Sequence, residues 1–178
     1  MSEALARAEP DLFWDPRVEA MTRTVLPGRH AVTDRPGVAL VTLLGSCVAA
    51  CIRDPALGTG GLNHFLLPGA GGTDGGSARY GVNAMEVLIN DILRRGGVKA
   101  RLEAKVFGGA NVIDVGGADT VGARNAAFVT DYLAREGIRR VAADLGGERA
   151  RRVFYFPATG RARVRRLPEA DQRRLRQE

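Results

Sequence analysis

The sequence predicts an α+β domain: mixed β-sheets in layers, packed with two main helices. Three observations carry this expectation. An apolar, β-branched run, "VALVTLL" over Val38–Leu44, stops at Gly45 and suits a buried strand. Residues 80–95 place Val82, Met85, Leu88, Ile89, Ile92 and Leu93 on one face at helical spacing, with Gly96-Gly97 as a stop. In "ARLEAKVF", residues 100–107, Leu102, Ala104 and Val106 alternate with Arg101, Glu103 and Lys105, the period of a half-buried strand.

The remaining elements follow in order. The first twenty residues carry charges, two prolines and no clear period, and read as an extension. Residues 48–53 continue as apolar backbone, and "DPALGTGG" supplies turn residues. "LNHFLL", residues 62–67, reads as a strand that stops at Pro68. "GAGGTDGGS", residues 69–77, has too few side chains to pack and reads as a mobile loop. A second helix is expected around 123–136, capped by Gly137. Short strands are expected at 140–143, 152–156 and 161–167, the last two joined by the turn "PATG". There is no internal repeat.

With 178 residues, 45% hydrophobic and 26% charged, the chain has the size and composition of one globular domain. No apolar run approaches the ~18–20 residues of a membrane helix, and "MSEALARAEPDLFW" lacks the apolar core of a signal peptide. The expected location is the cytoplasm, without membrane insertion, and both cysteines are then free thiols. The net charge of +6 is uneven: residues 149–178 hold ten arginines against Glu169, Asp171 and Glu178. With only Tyr155 and two phenylalanines among them, no base-stacking platform for nucleic acid is evident. The plain reading of this segment is a solvated, charged end.

Three kinds of chemistry come into question. Cys47, Cys51 and His64 have a spacing loosely like a zinc site, but the other histidine is His30, and Asp54 would have to be forced in as a fourth ligand. The glycine-rich stretches "GGAN" and "GAGGTDGG" match no phosphate-binding motif. Nucleophilic catalysis fits better. A thiol needs a neighbouring base, and His64 is the candidate. Gly45-Ser46 allows a sharp bend that exposes the Cys47 sulfur and aims backbone N–H groups at an oxyanion. Hairpin geometry points elsewhere. A tight hairpin centred on Leu57-Gly58 sets Cys51 opposite His64 and leaves Cys47 four residues along, about 13 Å away. The residues alone leave both cysteines open.

The motifs "TLLGSCVAACIRDP", "GGLNHFLLP", "RYGVNAMEVLIN", "LEAKVFGGANV", "GARNAAFV", "DLGG" and "VFYFPATGRARVRRL" together resemble the CheD family, the chemoreceptor glutamine deamidases of bacterial chemotaxis. The resemblance divides the chain into an extension (1–23), a CheD-like cysteine hydrolase domain (24–167) and a basic tail (168–178). It implies an enzyme that converts receptor glutamines to glutamates through a thioester, with glutamyl methylesterase activity as a side reaction. It assigns Cys47 as nucleophile, His64 as base and Thr42 as third member, and predicts a bend at Ser46-Cys47. It implies no cofactor and no metal, with receptor signalling helices as substrate and a CheC-type phosphatase as a partner. Three rival readings stand beside it: a non-catalytic adaptor, a small RNA-binding protein using the arginine-rich end, and a general thiol amidase.

Overall fold

The computed structural model of the chain describes residues 11–67, 76–112 and 119–175. In chain order the elements are β1 (Phe13–Asp15), β2 (Ala20–Thr24), β3 (His30–Thr33), β4 (Val38–Leu44), β5 (Val48–Asp54), β6 (Thr59–Asn63), α1 (Gly76–Arg94), β7 (Glu103–Gly108), α2 (Val121–Arg135), β8 (Arg139–Leu145), β9 (Arg151–Phe156), β10 (Arg161–Arg166) and α3 (Glu169–Leu175). One sheet has the strand order β1-β2-β4-β9-β10 and the other β3-β6-β5-β7-β8. Both are mixed: β2 runs parallel to β4, and β7 parallel to β8.

The sheets face each other, and α1 and α2 cover the far side of the second. β5 therefore has both faces buried. Val48, Ala50 and Ile52 pack with Met85, Leu88 and Ile92 of α1, whereas Ala49 and Cys51 pack with Leu40 and Leu44 of β4 and Val153 and Tyr155 of β9. That is why "VAACI" reads as continuous apolar backbone rather than as an alternating strand. At the start of α2, Thr120 Oγ1 accepts from the Ala123 N–H at 3.1 Å, and Gly137 closes the helix with φ +67°.

The ends differ from the sequence reading. The segment expected as an extension supplies β1, β2 and the turn between them, and Val18 of the turn and Ala20 of β2 bury against Val41 and Phe154 on the outer face of the first sheet. Three- and five-residue strands are too short to show a period, which is why they looked featureless. At the other end, the segment expected as a basic tail forms α3. Its Gln172 donates to the Glu148 carbonyl at 2.6 Å and accepts from the Ala150 N–H at 3.2 Å. Nor is the whole arginine-rich segment solvated: Arg151 is buried and donates to the Asp144 carboxylate at 2.9 Å. The glycine-rich loop expected at 69–77 lies outside the described residues, except for the two that open α1.

Asp54 fixes the β5–β6 turn. Its carboxylate accepts from the N–H groups of Ala56, Leu57 and Val98 and from the Arg101 guanidinium, at 2.7–3.3 Å. The Arg101 hydrogen bond holds the fully buried carboxyl at about 2, against 3.8 for the free group. A carboxyl depressed in this way stabilises the fold above about pH 4, and that contribution is lost as pH falls toward 2. Asp54→Asn is expected to cost about 2 kcal/mol at pH 7 and much less at pH 2. Denaturant melts of both proteins at the two pH values check this.

Candidate active site

The Gly-Ser-Cys step joins the first sheet to the second. β4 ends at Leu44, Gly45 and Ser46 form a bend, and β5 starts at Val48. Three successive carbonyls of this bend are each held. Gly45 O accepts from the Ala110 N–H at 2.9 Å and Cys47 O from the Gly109 N–H at 2.8 Å. Ser46 O accepts from the Asn125 side-chain amide at 2.8 Å. The "GGA" turn lies so close that a Cβ on Gly108 would collide with the Cys47 carbonyl, at a φ of +106° that itself favours glycine. A cavity of about 220 Å³ opens beside the bend, lined by Ser46, Ala110, Asn111, Thr120 and Gly122.

The hairpin register corrects the sequence reading. β5 and β6 pair Asp54 with Thr59 and Cys51 with Leu62, and the same register resumes at the Val48–Phe65 bridge. His64 therefore lies opposite Ala49, two residues from Cys47 and two from Cys51, on the face that meets the first sheet. Diagonal neighbours of this kind have Cα atoms about 7–8 Å apart, so the 13 Å objection to Cys47 falls away. The expected centre at Leu57-Gly58 was one residue late, because the loop takes in Pro55 through Gly58 under the Asp54 carboxylate.

Burial separates the two thiols. Cys51 is completely enclosed in the inter-sheet core, and burial pushes its thiol far above the ordinary range. Cys47 is partly exposed. Burial raises its thiol too, and its own backbone N–H opposes part of that rise.

His64 is buried, and Thr42 of β4 meets it from the first sheet. Thr42 Oγ1 lies 2.7 Å from the Val25 carbonyl and 2.7 Å from His64 Nδ1. A hydroxyl has one proton and a carbonyl can only accept, so Thr42 donates to Val25 and receives the Nδ1 proton. This assigns the tautomer and leaves the lone pair on Nε2. Nε2 is buried with no hydrogen-bond partner among the described residues. An unmet buried acceptor of this kind costs stability and calls for an explanation. Burial also lowers the imidazole below its ordinary 6.5. His30 opens β3 and has a partner of its own, with Nε2 3.1 Å from an Asp91 carboxylate oxygen. Among the described residues no group of three His, Cys, Asp or Glu side chains is placed to hold a metal.

Comparison with known proteins decides the family. A family model described as CheD chemotactic sensory transduction matches residues 66–166. A relative from Rhodopseudomonas palustris (strain BisA53) is 54% identical over 90% of this chain and 76% of its own length. Relatives from Xanthomonas campestris pv. campestris (strain B100) and Stenotrophomonas maltophilia (strain K279a) are 51% and 49% identical over 96% of this chain and 85% of their own. All three are named probable chemoreceptor glutamine deamidase CheD. The chain belongs to the CheD family. The family model's match starts just past His64, but alignments of 164 and 170 residues span 42–64 as well.

The layered α+β fold of this CheD chain has a likeness among solved structures. Neisseria meningitidis protein NMB0706, of the family DUF152, superposes with a TM-score of 0.50 at 13% identity, over 74% of this chain and 66% of that one. The Bacillus licheniformis hypothetical protein YfiH gives a TM-score of 0.44 at 18% identity, over 65% of this chain and 49% of that one.

Two asparagines of this CheD site escaped the sequence reading. Asn63 is buried and its Oδ1 accepts from the Ala50 N–H at 2.8 Å, in place of a ladder bond beside His64. Asn125 falls in the buried stripe of α2 with Gly122, Val129 and Tyr132. A polar residue in an apolar helical stripe was the available signal.

Proposed function

We propose that this chain hydrolyses glutamine side chains of chemoreceptors to glutamate and ammonia, with Cys47 as nucleophile, His64 as general base and Thr42 as the group that orients it. The family supports the substrate and the hydrolytic class. The observation that carries the assignment of roles is the Thr42–His64 hydrogen bond, which leaves the Nε2 lone pair open on the sheet face that carries Cys47.

The resting pair is neutral, since burial disfavours both the thiolate and the imidazolium. His64 Nε2 takes the thiol proton as sulfur attacks the carboxamide carbon. The tetrahedral adduct collapses as His64 returns that proton to the nitrogen, and ammonia leaves a thioester. Water, deprotonated by His64, then attacks the thioester, releasing glutamate and restoring the thiol. A glutamyl methyl ester can follow the same path and lose methanol, which makes methylesterase activity the natural side reaction. Thr42 is neutral, so it orients the imidazole and does not stabilise imidazolium as a carboxylate would.

A protein substrate also suits the surroundings. Leu26, Leu66, Tyr80 and Val121 are exposed on segments flanking His64 and the bend, an apolar rim fit for a helix surface. A CheC-type phosphatase covering this rim would restrain the enzyme, and the proposed place of action is the cytoplasm. Leu26→Asp is expected to raise KM for a receptor fragment about tenfold with kcat little changed, as for lost uniform binding. Free glutamine, which lacks remote contacts, is expected to release no ammonia.

The pH profile tests the base. His64 acts when neutral, and burial lowers its ionisation below 6.5. The acid limb of kcat/KM is therefore expected to have its midpoint below pH 6.5, with full activity from there to neutrality. An acid-limb midpoint above 7 would contradict an imidazole whose ionisation is lowered by burial.

A further inference from the structure

We propose that Asn125 is the positioning residue of this site: its side-chain amide holds the Ser46–Cys47 peptide so that the Cys47 N–H points to where an oxyanion forms. The inference rests on the thiol chemistry proposed above.

Asn125 is completely buried on the inner face of α2. Asparagine is a weak helix former, and a buried carboxamide is costly unless both ends are paired. Both are: Nδ2 donates to Ser46 O at 2.8 Å, and Oδ1 accepts from the Leu67 N–H at 3.0 Å. One side chain thus ties the bend before Cys47 to the segment three residues after His64.

The consequence for catalysis comes from peptide geometry. Among the described residues no peptide is cis, and in a planar trans peptide the carbonyl and the following N–H point in opposite directions. Holding Ser46 O on the α2 side therefore turns the Cys47 N–H to the other side. That amide belongs to the residue that carries the sulfur, beside which the tetrahedral adduct's oxygen must develop. The two neighbouring carbonyls are held by backbone N–H groups of the "GGA" turn, so only the central peptide depends on a side chain. An oxyanion donor works by being fixed before the charge appears, and Asn125 supplies that fixation.

Two reactions of Cys47 separate positioning from mere support. Acylation by p-nitrophenyl acetate passes through a tetrahedral oxyanion, and alkylation by iodoacetamide does not. Asn125→Ala removes both hydrogen bonds. Asn125→Asp keeps the size and the acceptor for Leu67 but loses the donor to Ser46. In folded variants, acylation is expected to slow about 10–100-fold with alkylation within about threefold of the parent, and deamidation kcat is expected to follow acylation. Equal loss in both reactions, acylation within threefold of the parent, or failure of both variants to fold would overturn the proposal. A parent protein that acylates but deamidates no receptor would sink the substrate assignment alone, since the ratio of the two rates needs no receptor.

Discussion

Cys47→Ala is expected to abolish deamidation of a receptor fragment, while Cys51→Ala keeps it within a few-fold of the parent. Both thiols sit two residues from the position opposite His64, so register does not choose between them. Environment does. Cys51 is sealed between the sheets, and bringing a carboxamide to it would mean opening the inter-sheet core. Cys47 stands at a bend with partial exposure. Truncating Cys51 removes one buried sulfur, so its cost belongs to stability, at about 1–2 kcal/mol. The two variants are thus expected to divide cleanly: one loses turnover with an unchanged melt, the other lowers the melt and turns over. Ammonia release and thermal unfolding, measured on the same preparations, read both.

His64→Gln is expected to lower kcat about 10²–10⁴-fold, the range for a general base, with folding intact. Glutamine can still donate to Thr42 Oγ1, but it offers no basic lone pair to the thiol. Since burial raises the Cys47 thiol, little thiolate exists near neutrality without a base. The variant's residual rate is therefore expected to climb with pH through the alkaline range, as hydroxide replaces imidazole. A His64→Gln protein with near-parental activity at pH 7 would show that the unmet Nε2 acceptor has another purpose. Thr42→Val gives the smaller effect, because it frees the tautomer and ring orientation without removing the base.

The parts of the fold legible in the sequence are those where one period runs long enough to be read. β4 matches "VALVTLL" residue for residue, and α1 and α2 carry apolar stripes over four or more turns. The short strands β1 and β2 have three and five residues and show no period, so the stretch up to residue 23 reads as an extension. Register was missed by one residue in the turn because the Asp54 carboxylate gathers the N–H groups of Ala56 and Leu57 into a wider loop. The site was half legible. Gly-Ser-Cys and a downstream histidine are local signals. The Thr42–His64 hydrogen bond joins two sheets across 22 residues, and only the resemblance to CheD pointed to it. Asn125 reaches Ser46 across 79 residues, a contact that no local pattern announces.

The central claim is glutamine hydrolysis through a thioester on Cys47, and one measurement bears on it most directly. A receptor cytoplasmic fragment is incubated with the parent protein, Cys47→Ala and Cys51→Ala, and its glutamine peptides are followed by mass spectrometry. The account predicts conversion of particular glutamines to glutamates by the parent and Cys51→Ala, and none by Cys47→Ala. Conversion by Cys47→Ala, or its loss only in Cys51→Ala, would contradict it.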